Sequence, residues 1–477
     1  MGSSTTEKRP GAGIRERLEA EMPPFVRFLV ERLARRGHEV YVVGGAVRDA
    51  CLERPIRDWD LATDADPDAV VGLFPEVRSF RLKHETVTLA AGRASCEVTP
   101  FRGGAEGRRT LAEDLARRDF TLNAMAYDPL RGELLDPEGG RGDIARRRIR
   151  AVRRPEERFA EDPLRALRAV RFAATLGFRV EEETLKAVSR WADRIGLVAA
   201  ERVRDELELL LLAPKPSAGL RLMRRTGLMK QVLPELLEGH LKRQNEHHRY
   251  TILRHALETV DRTAPERLLR WTALLHDVAK PRVRTRTAGR WRFLGHAGAS
   301  ADLAEDVMRR LRLESGFIAR VSRLIRNHMI GYRPDWSDGA VRRLIRRVGP
   351  ENVPALIAFR KADILAHGRP ELRGALLEEL EERVRGILEE APVLGPDRLA
   401  LDGREVMELT GLAPGPEVGR LLSGLVERVV DDPSLNTEAD LRRIVLEQWD
   451  AKRKETNRGG DRSGDPDPGR DLRPEDR

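Results

Sequence analysis

Residues 39 to 60 commit the chain to one kind of local architecture. Glu39-Val40-Tyr41-Val42-Val43 reads as a buried strand, and Gly44-Gly45 follows it at once, so bare backbone stands where a ligand can approach closely. Ala46-Val47-Arg48-Asp49 then opens a short helix, whose N-terminus favours anions. Asp58 and Asp60 occupy i and i+2 of the next strand-like run, which points both carboxylates to one face. Asp-x-Asp recurs at Asp64/Asp66, Asp66/Asp68 and Asp465/Asp467, but only the first pair follows a strand, a glycine pair and a helix start. A phosphate cradle followed by paired carboxylates is an order that suits metal-assisted nucleotidyl transfer.

The pattern around this segment is α+β. A leading helix from Arg15 is followed by short strand-like runs at Tyr41 to Val43, Trp59 to Ala62, Thr86 to Ala91, Ser95 to Thr99 and Ala124 to Tyr127. After Asp143 the strand signals fade and helical spacing takes over, as in Leu164, Leu167, Val170, Phe172 and Leu176, with Gly177 placed as a C-cap. The expected division is a disordered tail over 1–14, a mixed-sheet head over 15–145, a helical neck over 146–242 and a histidine-richer helical module over 243–370. A C-terminal helical region over 371–451 and a second disordered tail over 452–477 complete it. Within the C-terminal region LTGLAPGPEVGRLL reads as a turn between amphipathic helices, and no fixed-period repeat suggests a solenoid.

A chain of 477 residues is long enough for several domains. Cys51 and Cys96, the two cysteines, provide neither a disulfide framework nor a zinc pattern, which fits a reducing cytoplasm. The first apolar stretch, Phe25 to Leu33, is broken by Arg27, Glu31 and Arg32, and no segment has the apolar length of a membrane helix. A cytoplasmic protein without a membrane partner is expected. The formal net charge is +9, with clusters such as Arg146-Arg147-Arg148, Arg153-Arg154 and Arg342-Arg343. Such clusters suit a phosphodiester partner, although arginine-rich helix faces also arise from GC-rich coding sequences.

Written out, GGAVRDACLERPIRDWDLAT resembles the signature of class II tRNA nucleotidyltransferases and bacterial poly(A) polymerases, in the polymerase-β superfamily. The resemblance implies Mg²⁺ held by Asp58 and Asp60, with a third carboxylate from a neighbouring strand. Glu97 in Ser95-Cys96-Glu97-Val98-Thr99 stands at that position, its alternative being a solvated edge-strand residue. Arg117 to Ala126, RRDFTLNAMA, matches the family's second motif. There Arg118 can meet phosphates bidentately, while Asp119 and Asn123 can accept and donate at ribose hydroxyls. Asp136-Pro137, Gly139-Gly140 and Asp143 correspond to a third motif, read as a turn and hinge between head and neck.

In Glu161-Asp162-Pro163-Leu164-Arg165-Ala166-Leu167-Arg168, Pro163 suits a first helical position and Asp162 its cap. Asp162 and Arg165 are three apart and share a face, where a carboxylate beside a guanidinium can read a base edge. The resemblance makes these two, together with Arg168, a protein template selecting CTP and ATP, and makes Glu201-Arg202 a brace for the neck. Gly44, Gly45 and Arg48 are expected to hold the triphosphate tail. The implied reaction is in-line attack of the tRNA 3′-hydroxyl on the α-phosphate, assisted by metals on Asp58, Asp60 and Glu97.

A second set of residues runs in the order His255, His276-Asp277, His296, His328 and Asp363, using four of the ten histidines. It resembles the HD phosphohydrolase superfamily. Since His276-Asp277 closes the apolar run Leu274-Leu275, the pair is expected to face inward within a helix, where buried imidazole and carboxylate imply a metal or a tight hydrogen-bond network. The resemblance implies a divalent transition metal and phosphatase or 2′,3′-cyclic phosphodiesterase chemistry. The other reading is a degenerate domain retained as an RNA-binding platform.

The poly(A) branch typically carries a Leu-Val-Gly-Arg-Arg-Phe-like run where this chain has Arg81-Leu82-Lys83-His84-Glu85-Thr86, so the tRNA branch is expected. The partners implied are tRNA with CTP and/or ATP. The stretch Gly103 to Arg109 is shorter than the flexible loop of full CCA-adding relatives and is similar to that of CC-adding ones. A poly(A) polymerase is the alternative within the family. An HD phosphohydrolase, or an RNA-binding protein with an inactive transferase head, is the alternative from other classes.

Overall fold

The structure is a computed structural model that describes residues 12–81, 85–103, 109–244, 249–367, 374–390 and 398–459. It divides into two compact units, Met1–Ile325 and Arg326–Arg477. The boundary falls inside the stretch 243–370 that was expected to form one helical module.

The head of the first unit is a seven-stranded sheet. Its strands are β1 (Val40–Val43), β2 (Asp60–Thr63), β3 (Arg78–Arg81), β4 (Val87–Ala91), β5 (Ala94–Pro100), β6 (Ala126–Asp128) and β7 (Glu133–Leu135), in the order β3-β4-β5-β2-β1-β6-β7. Only β2 and β5 pair in parallel; every other neighbouring pair is antiparallel. Val43 lies opposite Asp60, and Asp60 lies opposite Glu97. This register sets the strand end that precedes Gly44 level with both carboxylates, next to β2 and one strand away from β5. Val43, Ala62, Phe101, Leu115 and Ala126 form a buried cluster across the sheet. The helix Pro24–Arg35 buries Val26, Leu29, Val30 and Leu33, the spacing of one helical face.

The helical neck follows the expected pattern: Leu164–Leu176 is one helix, ended by Gly177 in the left-handed region at φ 70°. Several elements differ from expectation. β3, Arg-Ser-Phe-Arg, is mostly exposed at the sheet edge, and β7 is only three residues long, so neither carries an apolar alternation. The region beyond Asp143 is not purely helical. Arg148–Ile149 pairs with Arg179–Val180, and Thr285–Thr287 pairs with Arg290–Arg292 as an antiparallel hairpin. Both are too short and too polar to show a strand period. The tail boundaries also shift, because the helix Ala12–Glu21 begins before residue 15 and the helix Glu438–Gly459 runs past residue 451.

The described part of the second unit is helical, with a core of Leu401, Val406, Val418, Leu421, Leu425, Val429, Leu441, Ile444 and Val445. Asp402 and Glu405 form a reciprocal capping box on the helix Gly403–Thr410. Gly411 ends it at φ 72°, and the next helix starts at Pro416. The turn between amphipathic helices is therefore where the glycines and prolines of LTGLAPGPEVGRLL place it. Among the described residues no helix is long and apolar enough to cross a membrane.

Candidate active site

The carboxylates converge through the strand register. Asp60 begins β2, Glu97 is its direct partner on β5, and Asp58 sits on the extended approach just outside the strand. Trp59 is buried between the two aspartates, and Glu97 is exposed between buried Cys96 and Val98. Both segments therefore turn their acidic residues away from the core. Burial and the neighbouring Glu97 push the Asp60 carboxyl up to about 6, Asp58 adds to the rise, and Arg118 opposes it. Like charges gathered at a half-buried carboxylate, all of them oxygen donors, fit a hard divalent cation.

Gly44 lies over this cluster. Its backbone, at φ 70° and ψ −125°, is one that L side chains rarely adopt. A Cβ there would stand 3.1 Å from Arg118 Nη1 and 3.4 Å from Asp60 Oδ2, so the missing side chain leaves the guanidinium and the carboxylate at the same spot. Arg118 is held there by Asp114, whose Oδ2 accepts from Nε at 3.1 Å and Nη2 at 3.0 Å. Asp114, buried and not singled out in the sequence, is the anchor that aims Arg118 Nη1 at Gly44. Gly44→Ala is expected to cost about 1–3 kcal/mol from the backbone alone. It should also raise the KM for nucleoside triphosphate more than it lowers melting temperature, a difference that steady-state kinetics beside calorimetry will detect.

Arg48 does not extend freely toward a triphosphate in this structure. It forms a fork with Asp49 through two 2.9 Å bonds and donates from Nη1 to Asn123 Oδ1 at 2.9 Å. Asn123 Nδ2 in turn donates to Asp119 Oδ1 at 3.0 Å, which also accepts from the Phe120 amide at 2.8 Å. Asp119 Oδ2 accepts from Arg168 Nε at 2.8 Å. Arg168 Nη1 and Arg171 Nε then take the two oxygens of Glu206, each at 2.9 Å. One chain of charged hydrogen bonds thus joins the head to the helices Leu164–Leu176 and Ala200–Leu211. Burial alone would raise the Asp119 carboxyl, but Arg168 and the Asn123 amide hold it well below the usual carboxylate range. Glu206 went unnoticed in the sequence; two arginines three apart on one helix were the available signal that a buried carboxylate must answer them.

Asp162 and Arg165 have separate partners here. Asp162 Oδ1 accepts from the Leu164 amide at 3.2 Å, as a cap does, and its Oδ2 accepts from Arg202 Nη2 at 2.7 Å. Arg202 therefore braces the neck as read, while Glu201 stays exposed. Arg165 is buried and donates to the Arg158 carbonyl at 3.0 Å, Glu161 Oε2 at 2.9 Å and the Arg117 carbonyl at 2.8 Å. It ties the neck helix to the RRDFTLNAMA segment. The third motif forms its turn at Gly139 and fastens it as a clasp. Asp143 accepts from Thr121 Oγ1, Arg148 and Arg150, and a Cβ at Gly140 would fall 2.2 Å from the Thr121 carbonyl oxygen.

In the first unit, His255, His276, Asp277 and His296 come together. His276-Asp277 does not lie inside a helix: the helix Arg267–Leu275 ends just before it, yet both residues are buried. His276 Nδ1 lies 3.0 Å from the Ala273 carbonyl and His296 Nδ1 2.7 Å from the Phe293 carbonyl, so Nδ1–H donation there turns Nε2 of each ring inward. His276 Nε2 lies 3.3 Å from His255 Nε2 and 3.2 Å from Asp277 Oδ2, and His296 Nε2 lies 3.7 Å from Asp277 Oδ1. Lys280 Nζ, another residue passed over in the sequence, stands 2.6 Å from Asp277 Oδ2. Burial would raise the Asp277 carboxyl, but His276 and Lys280 hold it well below its ordinary value; burial keeps His296 below the usual imidazole range. Oriented imidazoles around a carboxylate suit a divalent transition metal. His328 and Asp363 belong to the second unit, where both are buried and Arg360 pairs with Asp363.

Sequence comparison matches three family models: the Poly A polymerase head domain over residues 40–150, the "Probable RNA and SrmB- binding site of polymerase A" over 177–239, and the HD domain over 246–367. The chain is 36% identical over 434 residues to an A-adding tRNA nucleotidyltransferase of Deinococcus radiodurans, spanning 86% of this chain and 95% of the relative. It is 37% identical over 432 residues to a CC-adding tRNA nucleotidyltransferase of Thermus thermophilus, spanning 86% and 93%. A CCA-adding enzyme of a Geobacillus species is 33% identical over 439 residues, spanning 89% and 96%. Among solved structures, the Bacillus stearothermophilus CCA-adding enzyme in complex with CTP superposes with a TM-score of 0.70 at 28% identity, covering 91% of this chain and 100% of the other.

Proposed function

Because the chain belongs to the family of tRNA nucleotidyltransferases that carry an HD domain, we propose that it extends tRNA 3′ ends with C and/or A residues taken from CTP and ATP. The observation that carries this reading is the register that sets Asp60 against Glu97, with Asp58 beside them and Gly44 and Arg118 above. Asp58, Asp60 and Glu97 would hold Mg²⁺, which lowers the pKa of the attacking hydroxyl and neutralises charge on the pyrophosphate. Gly44 and Arg118 receive the phosphates, and Asn123 meets the ribose. Asp119, saturated by its own hydrogen bonds, orients Asn123 and Arg168. Asp162 and Arg165 read the base edge once nucleotide draws them from their present partners. The two free cysteines and the tRNA substrate favour a cytoplasmic setting.

Relatives that add A, CC and CCA match at comparable identity, so the extent of addition rests on the short stretch Gly103 to Arg109, of which residues 104–108 lie outside the described residues, as do 82–84 of the branch-distinguishing run. The shortness of that stretch favours CC addition. A tRNA lacking its CCA end, offered CTP alone, ATP alone and both, tests this directly. Two added residues with CTP and no further growth with ATP are expected; a third residue with both nucleotides refutes the CC limit, and a long ladder with ATP alone would point to poly(A) synthesis.

The HD centre is proposed as a hydrolase of phosphate esters, with His255, His276, Asp277 and His296 as ligands of a divalent transition metal. The order of residues adds His328 and Asp363 to that set. His276→Ala and chelation should each abolish hydrolysis of 2′,3′-cyclic AMP while leaving nucleotide addition, restored with Mg²⁺, intact. Unchanged hydrolysis would favour the RNA-platform reading.

A further inference from the structure

The antiparallel hairpin Thr285–Thr287/Arg290–Arg292 has no place in the chemistry above, yet both its strands are rooted in the HD centre. The first follows Lys280, whose ammonium stands against Asp277, and the second runs into Phe293, whose carbonyl accepts from His296 and whose ring lies 5.6 Å from Lys280 Nζ. The tip at Ala288-Gly289 is exposed. At strand rise, Thr285 to the tip extends roughly 10 Å beyond that base.

Its charge is unbalanced. Arg282 just before the hairpin pairs with Glu238, as many of the chain's arginines pair with carboxylates, but among the described residues Arg284, Arg286 and Arg292 have no ion-pair partner. Arg286 lies opposite Trp291, and the Arg284 guanidinium stacks over the Trp291 ring at 3.4 Å. Uncompensated guanidinium groups beside an aromatic ring match the recognition of single-stranded RNA, whose phosphates take the cations and whose bases stack on aromatic or guanidinium planes. An acidic peptide would use the charge but not the stacking surface.

We propose that this hairpin is a clamp for an RNA strand, presenting its 3′-terminal phosphate to the HD centre. Resting on the hydrolase reading of that centre, this makes the substrate class an RNA end rather than a free nucleotide. On this reading a mononucleotide uses the His276-Asp277 site alone, whereas the preceding nucleotides of a strand run along the hairpin. For a terminal 2′,3′-cyclic phosphate, the oxygen of water bonds to phosphorus, one ester P–O bond breaks, and a proton goes to the released ribose oxygen.

The test compares the full chain with its R286E/R292E and R286K/R292K variants, supplied with Mn²⁺, on a short single-stranded RNA ending in a 2′,3′-cyclic phosphate and on 2′,3′-cyclic AMP. R286E/R292E should raise the KM for RNA about tenfold or more and flatten its logarithmic salt dependence by roughly two, whereas R286K/R292K stays close to wild type. Both should leave turnover of the mononucleotide unchanged. An unchanged KM for RNA, or an equal loss on both substrates, overturns the clamp. If the wild-type protein hydrolyses neither substrate, the hydrolase reading fails by itself. Fluorescence anisotropy of the labelled RNA then decides the clamp: weaker binding by R286E/R292E with a shallower salt slope sustains it, and equal binding overturns it.

Discussion

Asp60→Asn is expected to abolish nucleotide addition and, in the same protein, to raise the stability of the metal-free fold. Loss of a central metal carboxylate removes several kcal/mol of transition-state stabilisation, or roughly 10³-fold or more in rate. The stability effect has the opposite sign. Burial and the adjacent Glu97 push the Asp60 carboxyl up to about 6, against an ordinary value of 3.8. The folded state therefore binds a proton that the unfolded chain releases, and stability falls as pH rises between these two values. Above pH 6 the folded protein carries an unfavourable carboxylate worth about 2 kcal/mol after partial solvent screening. Asparagine keeps the shape without the charge. Calorimetry in EDTA should find the variant more stable at pH 8, with the gap closing toward pH 4. A variant that is inactive but no more stable at pH 8 would leave the electrostatic account of this cluster without support.

Asp119→Asn is expected to damage both the fold and the reaction. Oδ1 already accepts two hydrogen bonds and Oδ2 accepts one from Arg168. An amide must turn one of these acceptors into a donor facing a donor, and the least costly choice sets the new NH₂ against the Arg168 guanidinium. Breaking a buried, charge-assisted pair in this way costs about 3 kcal/mol. The same change frees Arg168 to leave its place and cuts Asn123 off from the neck, so kcat should fall further than KM rises. Denaturant melts and single-turnover kinetics on one preparation separate the two effects. Because Glu206 holds Arg168 from the other side, Glu206→Gln should be non-additive with Asp119→Asn in a double-mutant cycle. Additive losses would mean that the head and neck ends of the chain of hydrogen bonds act independently.

Much of the head could be read before its coordinates. The β1 run announces itself as a continuous apolar stretch, and the strand around Glu97 does so because one-sided burial imposes a period of two. Gly177 marks a helix end because few other residues take a left-handed backbone cheaply. The exposed edge strand β3, the two-residue pairs near Arg148 and the Thr285 hairpin were illegible for the converse reason: with little to bury, they leave no apolar period. Whether His276-Asp277 lies within a helix or just past its end is equally illegible. Apolar residues run up to the pair whether the helix continues or stops there, and the pattern does not distinguish the two.

By itself the sequence determined which chemical groups are present and roughly where along the strands and helices they fall: paired aspartates after a glycine cradle, a third carboxylate on an alternating strand, and an ordered run of histidines. Tertiary structure alone decided which of them meet. The parallel pairing of β2 with β5 sets Asp60 against Glu97, Asp114 aims Arg118 at Gly44, and Glu206 closes a line of hydrogen bonds that starts at Arg48. Local preferences act over a few residues and so leave a mark in the order of the chain. The pairing of charges brought together from distant segments depends on the packing of the whole, and it appears only once that packing exists.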